Sequence, residues 1–249
     1  MKEKFTLKAR DHLGSSEGKR LFNEKHFAES APRYDIATRA LSFGQDAGWK
    51  RALVAGLSPV EGSTPRCVDI ACGTGDIALQ IAERFPDAEI LGIDLTPEMI
   101  ELAKARNHKT RVSFTTGDMS HLPLEDDSVD ILTGGYAIRN APDLGETLTE
   151  FARVLKPGAQ AVFLDFSKPN SSAMQTLQFG MLKTWGSLWG LLLHGNPEVH
   201  GYISSSLRSF PDRESLVALY QSHGFRLEKT KPLLTGMMRL DFLRYEPAN

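Results

Sequence analysis

Cysteine is nearly missing from this sequence. Only Cys67 and Cys72 occur among the 249 residues. Two cysteines five positions apart cannot build a disulfide framework, and they cannot supply the four ligands of a structural zinc site. We therefore expect a reducing, cytoplasmic environment and no bound metal.

Long apolar runs and an excess of charge are missing as well. No stretch approaches the length that crosses a bilayer, and the polar start lacks the apolar segment of a secretory signal peptide. The chain carries 29 basic and 31 acidic side chains, which gives no electrostatic reason to expect a nucleic acid partner. Membrane-spanning and nucleic-acid-binding classes are therefore disfavoured.

The composition, 41% hydrophobic, is that of a chain that buries one sizeable core, so we expect a single domain. Its expected parts are a mobile leader, a helical cap, a cofactor-binding core, a substrate-side insertion, and a terminal helix with a strand pair. Their predicted ranges are 1–25, 26–62, 63–167, 168–211 and 212–249.

Short β-type runs alternate with helical patterns through the predicted core. Five such units, followed by a helix and two further strands, predict an α/β fold with a doubly wound, mostly parallel sheet of seven strands. The N-terminal cap and an insertion after strand 5 are expected to be helical. The Gly-Ser-Thr-Pro stretch at 62–65 is expected to end the cap.

A glycine-rich turn follows the first predicted strand. In DIACGTGD, residues 69–76, Gly73 and Gly75 let a ligand approach the backbone beside the positive pole of a helix. The spacing does not fit the dinucleotide pattern, and no lysine follows to form a phosphate loop. A tight turn without a ligand is the alternative interpretation.

Carboxylates stand at the ends of the next two strands. Asp94 lies about twenty residues after the glycines, where a carboxylate can accept both hydroxyls of a ribose. Asp118, beside Met119, can accept from the amine of an adenine between strands. Each residue alone also fits a turn or a helix cap, but three such features at successive strand ends favour a cofactor containing a nucleoside.

The motifs DIACGTGD, GIDLTPEMIELAKAR, GDMSHLPLEDDSVD and RVLKPGA resemble, in that order, those of class I S-adenosylmethionine methyltransferases over residues 66–166. The resemblance implies a Rossmann-like core and S-adenosylmethionine as the cofactor. By this resemblance the glycine turn would surround the methionine part, and the two carboxylates would contact ribose and adenine. The implied cofactor-binding residues are Asp69, Gly73, Thr74, Gly75, Asp94, Leu95, Asp118, Met119 and Gly135.

Four more segments, HFAESAPRYDIATRALSFGQDAGWK, GYAIRNAPD, LDFSKP and GYISSSLRSFPDRESL, are similar to the C-methyltransferases of ubiquinone and menaquinone biosynthesis. That resemblance implies methylation of a ring carbon of a polyprenylated quinol, and it places Tyr34, Arg139 and Asn140 at the ring. The carbon becomes nucleophilic as a neighbouring hydroxyl loses its proton, so the site needs a base or an anion stabiliser. Arginine holds its proton too tightly to act as a bare base, so Arg139 is expected to stabilise the phenolate.

Alternatives stand beside these roles. Arg139 also fits a surface ion pair with Asp143, and Tyr34 fits a core aromatic. Histidines titrate near neutrality, but His194 and His200, six positions apart, are more typical of exposed loop residues. The further substrate-side candidates are Tyr202, Asp165, which also fits a capping role, and His200.

The predicted insertion is more apolar than a solvated helix should be, especially around Trp185, Trp189 and residues 191–193. An isoprenoid tail would need such a surface, yet burial against the sheet or in a homodimer fits equally well, and peripheral membrane contact is open. Two other functions also stay open. They are O- or C-methylation of another small aromatic or polyketide-like metabolite, and cofactor binding without methyl transfer.

Overall fold

A seven-stranded sheet forms the centre of the computed structural model, which describes residues 9–12, 14–58, 64–108 and 111–247. The strand order is β3-β2-β1-β4-β5-β7-β6. Strands β1 to β5 pair in parallel, and β7 lies antiparallel between β5 and β6. The strands are β1 Arg66–Ile70, β2 Glu89–Asp94, β3 Val112–Thr116, β4 Val129–Gly135, β5 Leu155–Phe166, β6 Phe225–Leu233 and β7 Met238–Tyr245.

Helices cover both faces of this sheet, which confirms the doubly wound fold that the sequence predicts. Helices α4, α5 and α6 supply apolar side chains to one face, and α7, α9 and α10 supply them to the other. The helices are α1 Ala9–His12, α2 Ser16–Ser30, α3 Tyr34–Leu41, α4 Asp46–Ala55, α5 Asp76–Arg84, α6 Pro97–Arg106, α7 Leu144–Val154, α8 Ser172–His194, α9 Glu198–Ser209 and α10 Arg213–Ser222.

The central strands are apolar along their length because both of their faces are covered. In β1, Cys67 packs into one core cluster and its neighbour Val68 packs into the other. This is the alternation expected of successive strand residues. The strand order reverses between β1 and β4, so a crevice opens at their carboxyl ends, where open α/β sheets bind ligands.

The N-terminal segment differs from the prediction. Residues 16–25 belong to helix α2, so the expected mobile leader over 1–25 is wrong there; residues 1–8 and 13 lie outside the described part of the chain. Ser15 caps the helix by accepting a hydrogen bond from Gly18 N at 3.2 Å. Phe22 is 1% exposed and packs against the rings of His26 and Tyr202. Burial of this one aromatic face anchors a helix that is otherwise mostly polar.

The cap and the insertion are helical, as the sequence predicts. Helices α2, α3 and α4 form the cap, and its expected end at 62 lies outside the described residues. Helices α8 and α9 form a tightly packed hairpin, and two glycines allow this close approach. A Cβ on Gly186 would overlap the backbone oxygen of His200, and one on Gly190 would lie 2.7 Å from Asn196 O. None of the described helices, α8 included, is long and apolar enough to span a membrane.

We expect Phe22→Ala to lower the free energy of unfolding by about 3 kcal/mol, because it removes a fully buried ring and leaves a cavity. The matched control is Leu21→Ala on the same helix, where the side chain is 39% exposed and the expected loss is less than about 1 kcal/mol. Urea unfolding measures both. Equal losses in the two variants would contradict the docking of α2 described above.

Candidate functional site

Two cavities meet above the carboxyl ends of the parallel strands. The smaller, about 50 Å³, is here called the strand-end cleft; it lies beside Gly73, Asp94 and Asp118. The larger, about 800 Å³, is here called the large cavity; it lies between the cap and helices α8 and α9 and is partly open to solvent. The residues that line both cavities are Phe27, Tyr34, Tyr136 and Asn140.

The glycine turn has the left-handed backbone that its residues predict. Gly73 has φ +54° and Gly75 has φ +85°, and a Cβ on Gly75 would lie 2.8 Å from the ring of Phe114. Glycine avoids both the backbone strain and the clash. Of the two glycines, only Gly73 lines the cleft; Gly75 packs against Phe114 of β3, and its predicted contact with the cofactor remains a prediction.

Thr74 also faces away from the strand-end cleft. Its hydroxyl donates to Asp35 Oδ1 at 2.9 Å and accepts from Arg106 Nη1 at 2.8 Å. Thr74 does not line the cleft, and its predicted contact with the cofactor remains a prediction. The side chain instead ties the glycine turn to helix α3 of the cap, one residue after Tyr34.

Asp94 holds the turn and lines the cleft, as predicted. Its Oδ2 accepts from Gly73 N at 2.8 Å, and its Oδ1 accepts from Thr96 N at 2.9 Å. Burial raises the pKa of the Asp94 carboxyl, whereas these backbone hydrogen bonds act in the opposite direction because they favour the ionised form. Each carboxylate oxygen retains lone pairs for a ligand hydroxyl.

The remaining cleft residues lie where the sequence places them. Asp118 follows β3, and its Oδ1 accepts from Ser120 N at 2.9 Å. Leu95, Met119 and Gly135 complete the lining, and a Cβ on Gly135 would lie 2.7 Å from Ile77 Cδ1. A larger residue at 135 would therefore displace Ile77, which belongs to the core.

Asp69, one of the predicted cofactor-binding residues, lies beneath the strand-end cleft rather than in its lining. It is fully buried within β1, and it does not line either cavity. Its Oδ1 accepts from the Thr133 hydroxyl at 2.8 Å, while Oδ2 has no hydrogen-bond partner among the residues described. Burial raises the pKa of this carboxyl to about 7. Asp69 therefore acts below the cleft, between β1 and β4.

Arg139 lies at the wall of the large cavity, in the 3₁₀ turn Ile138–Asn140 after β4, and is only 2% exposed. Its Nε is 3.5 Å from Asp165 Oδ1, and its backbone N donates to Asp165 Oδ2 at 3.0 Å. Its guanidinium also donates to the Ser206 hydroxyl and lies 5.4 Å from the centre of the Tyr202 ring. The alternative of a surface ion pair with Asp143 is wrong because the side chain is buried.

Asp165 does not line the large cavity, and its predicted contact with a substrate remains a prediction. Its Oδ2 satisfies a backbone N–H of the 3₁₀ turn that holds Arg139, which is a capping contact. It is 2% exposed and serves as the counter-ion of Arg139. Burial raises the pKa of the Asp165 carboxyl, and the Arg139 charge opposes that shift.

Tyr34 and Asn140 lie between the two cavities. Asn140 Nδ2 donates to Tyr136 O at 3.0 Å, and its backbone oxygen accepts from Asn23 Nδ2 at 2.7 Å. Asn140 Oδ1 is buried and lacks a partner within the described chain. Burial raises the pKa of the Tyr34 phenol, so this hydroxyl stays protonated and can donate a hydrogen bond.

Sequence reasoning missed His26 and misjudged His200. His200 belongs to α9 and is 4% exposed rather than lying in an exposed loop, and His194 is half-buried at the end of α8. His26 lines the large cavity, and its ring centre is 4.2 Å from that of Tyr202. Phe22, His26 and Ser30 are each 1% exposed and lie four positions apart. This helical spacing is the sequence signal that could have identified His26 as a buried residue.

A sequence model described as the ubiE/COQ5 methyltransferase family matches residues 15–242. The chain belongs to this family. The match includes α2, both cavities and the α8–α9 hairpin, so it extends well beyond the cofactor motifs. The predicted membership in a methyltransferase family is confirmed.

Two curated members are similar over most of their length. Demethylmenaquinone methyltransferase of Deinococcus radiodurans is 36% identical over 223 residues, which are 89% of this chain and 92% of the relative. The ubiquinone/menaquinone biosynthesis C-methyltransferase UbiE of Geotalea daltonii is 35% identical over 220 residues, 86% of this chain and 92% of the relative.

Solved structures support the fold of this family member. Magnesium protoporphyrin IX methyltransferase from Synechocystis, with bound SAH, has a TM-score of 0.64 at 14% identity and covers 91% of this chain and 100% of its own. At that identity the likeness concerns architecture alone. It confirms the Rossmann-like methyltransferase fold that the motifs predict.

We expect Asp69→Asn to stabilise the protein more at pH 8 than at pH 4.5. The folded-state pKa of about 7 lies above the usual 3.8, so the stabilising contribution of protonated Asp69 is present at low pH and is lost as pH rises through about 7. The gain is expected to grow on the order of 3 kcal/mol across that window. Urea unfolding at both pH values tests this, with exposed Asp87→Asn as control; a pH-independent gain would contradict it.

Proposed function

We propose that this protein transfers the methyl group of S-adenosylmethionine to a ring carbon of a demethylated quinol, a demethylmenaquinol or a ubiquinol precursor. The observation that carries the proposal is the common wall of the two cavities. Because Phe27, Tyr34, Tyr136 and Asn140 line both, ligands in the cleft and the large cavity would meet there. The activities for which the two relatives are named support the choice of acceptor.

The residues of the strand-end cleft fit S-adenosylmethionine. Asp94 offers carboxylate oxygens of the kind that accept ribose hydroxyls, and Asp118 stands at the end of the neighbouring strand. Gly73 leaves space beside Tyr34 that a Cβ would fill. When bound, the sulfonium supplies both the methyl group and its leaving group, so positioning for in-line attack makes a large contribution to catalysis.

The large cavity fits a lipophilic aromatic acceptor. Apolar side chains dominate the lining, and a ligand with a long apolar tail gains from burying it against them. Polar side chains also occur, and those of Tyr34, Tyr136 and Asn140 lie at the wall shared with the cleft. The apolar residues include Leu41, Trp49, Leu177, Met181, Leu182, Trp185 and Ile203.

Arg139, Asn140 and Tyr34 are the proposed catalytic residues. Arg139 carries a fixed positive charge in a buried setting, where it stabilises an anion more strongly than it would in water. Tyr34 is protonated and donates to the same phenolate oxygen. The unpartnered Asn140 Oδ1 accepts from the ring hydroxyl and orients it. In this arrangement Tyr202 holds the guanidinium over its ring.

A cytoplasmic location, a homodimer and peripheral membrane contact remain predictions. The apolar face of α8 fits the last two, because several large side chains there are strongly exposed. These are Met174, Leu177, Met181, Leu188, Leu191 and Leu192.

The direct test is turnover of methyl-labelled S-adenosylmethionine with reduced demethylmenaquinone and a ubiquinol precursor, alongside phenols without a quinol ring. We expect a new carbon-bound methyl on a quinol ring, located by mass spectrometry. Methylation of the other phenols alone, or at oxygen, would assign a different metabolite. Cofactor binding without any transfer would assign a non-catalytic role.

Variants of the two cavities should separate binding of the donor from chemistry. Arg139→Gln is expected to lower kcat on the order of 100-fold, because it removes the charge that stabilises the phenolate, with cofactor affinity near wild type. Asp94→Asn should instead weaken cofactor binding on the order of tenfold. Kinetics and calorimetry measure both.

Because Arg139→Gln also leaves Asp165 without its counter-ion, Tyr34→Phe is the second chemical variant. It removes one hydroxyl and no charge. If Arg139→Gln and Tyr34→Phe each lowered turnover and cofactor affinity by the same factor, that result would argue against the catalytic roles assigned to these two residues.

A further inference from the structure

The large cavity has polar character away from the wall that it shares with the cleft. His200 of α9 lines the large cavity but not the cleft. It is 4% exposed, and its Nε2 is buried without a hydrogen-bond partner in the described residues. A buried polar group without a partner is costly, so this nitrogen requires explanation.

The hydrogen-bonding capacity of His200 follows from its charge state. Burial, with a further contribution from His194, lowers the pKa of the His200 imidazole to about 4. A neutral imidazole has one N–H donor and one acceptor nitrogen. Whichever tautomer is present, His200 can therefore form a hydrogen bond with a hydroxyl group, which both donates and accepts.

The backbone around His200 is held firmly. The α8–α9 contact at Gly186 leaves no space for a Cβ against the backbone oxygen of His200. One turn further along α9, the Ser204 hydroxyl donates to Phe179 O of α8 at 2.9 Å. The backbone that carries this imidazole is thus fixed by two packed helices, which suits recognition of a fixed ligand atom.

The neighbouring histidines differ from His200 in position. The ring of His194 is 5.1 Å from that of His200, edge to face, but His194 does not line the cavity. His26 lines it within an aromatic group with Phe22, Phe27 and Tyr202. His200 thus combines a place on the cavity wall with a buried ring nitrogen that has no partner in the described chain.

We infer that His200 binds the second ring oxygen of the acceptor, the one para to the hydroxyl that activates the methylated carbon. The inference rests on the proposed function and deepens it. A quinol ring held at Arg139 and Asn140 by one oxygen carries its other oxygen on the opposite side of the ring. In a mostly apolar cavity, a hydrogen bond there selects rings with two para oxygens over simple phenols.

Two matched acceptors test the inference: a prenylated 1,4-naphthohydroquinone and the prenylated 1-naphthol that lacks only the distal hydroxyl. Affinity is measured by quenching of tryptophan fluorescence, since Trp49 and Trp185 line the cavity, and kcat and KM are measured wherever methylation occurs. The variants are His200→Phe, His200→Gln, which keeps hydrogen-bonding groups, and His194→Phe as the matched control.

We expect His200→Phe to weaken binding of the dihydroxy acceptor on the order of tenfold and that of the monohydroxy acceptor less than about twofold. His200→Gln should restore part of the difference, and His194→Phe should show none. Thermal unfolding and cofactor affinity show whether His200→Phe is correctly folded. If it is misfolded, the test of the inference rests on His200→Gln.

Equal weakening of both acceptors, or no weakening, would overturn the inference. Binding does not require turnover, so the two proposals can fail separately. Preference for the dihydroxy ring through His200 without methyl transfer would sustain this inference and refute the proposed function. Methyl transfer to a quinol carbon with no such preference would do the reverse.

Discussion

The ion pair between Arg139 and Asp165 is the interaction on which the site depends. A buried charge is tolerated only when it is paired and hydrogen-bonded, and here both groups are 2% exposed. Asp165 belongs to β5, and Arg139 belongs to the turn after β4. The Ser206 hydroxyl, which accepts a hydrogen bond from the guanidinium, belongs to α9. One pair therefore joins the sheet, the wall of the large cavity and the insertion, and it fixes a positive charge at that wall.

Helix α2 links the Arg139–Asp165 ion pair to the strand-end cleft. Asn23 of α2 donates to the backbone oxygen of Asn140, next to Arg139, while Phe27 of the same helix lines both cavities. Phe22 anchors the helix against Tyr202 of α9. The cap is thus part of the site rather than a cover added to a finished core, which agrees with a family match that begins at residue 15.

Much of the fold and of the strand-end cleft could be predicted from sequence. Alternating strand and helix patterns predicted the sheet. Glycines and carboxylates at strand ends predicted Gly73, Asp94 and Asp118 as residues of the cleft. Local patterns could not predict side-chain direction: Asp69 and Thr74 belong to the correct motif but turn into the core and toward Asp35. They also could not predict long-range pairing: nearby Asp143 was the partner in the alternative surface ion pair, whereas Arg139 pairs with Asp165 on the next strand.

The wall common to the two cavities has a thermodynamic consequence. A ligand on either side would contact the same four residues, Phe27, Tyr34, Tyr136 and Asn140. Whatever free energy the first ligand contributes by ordering these side chains would reappear in the affinity of the second, and linkage makes that effect reciprocal. The order in which the two ligands bind, and the rate at which a spent donor leaves, would then be properties of four side chains in one wall.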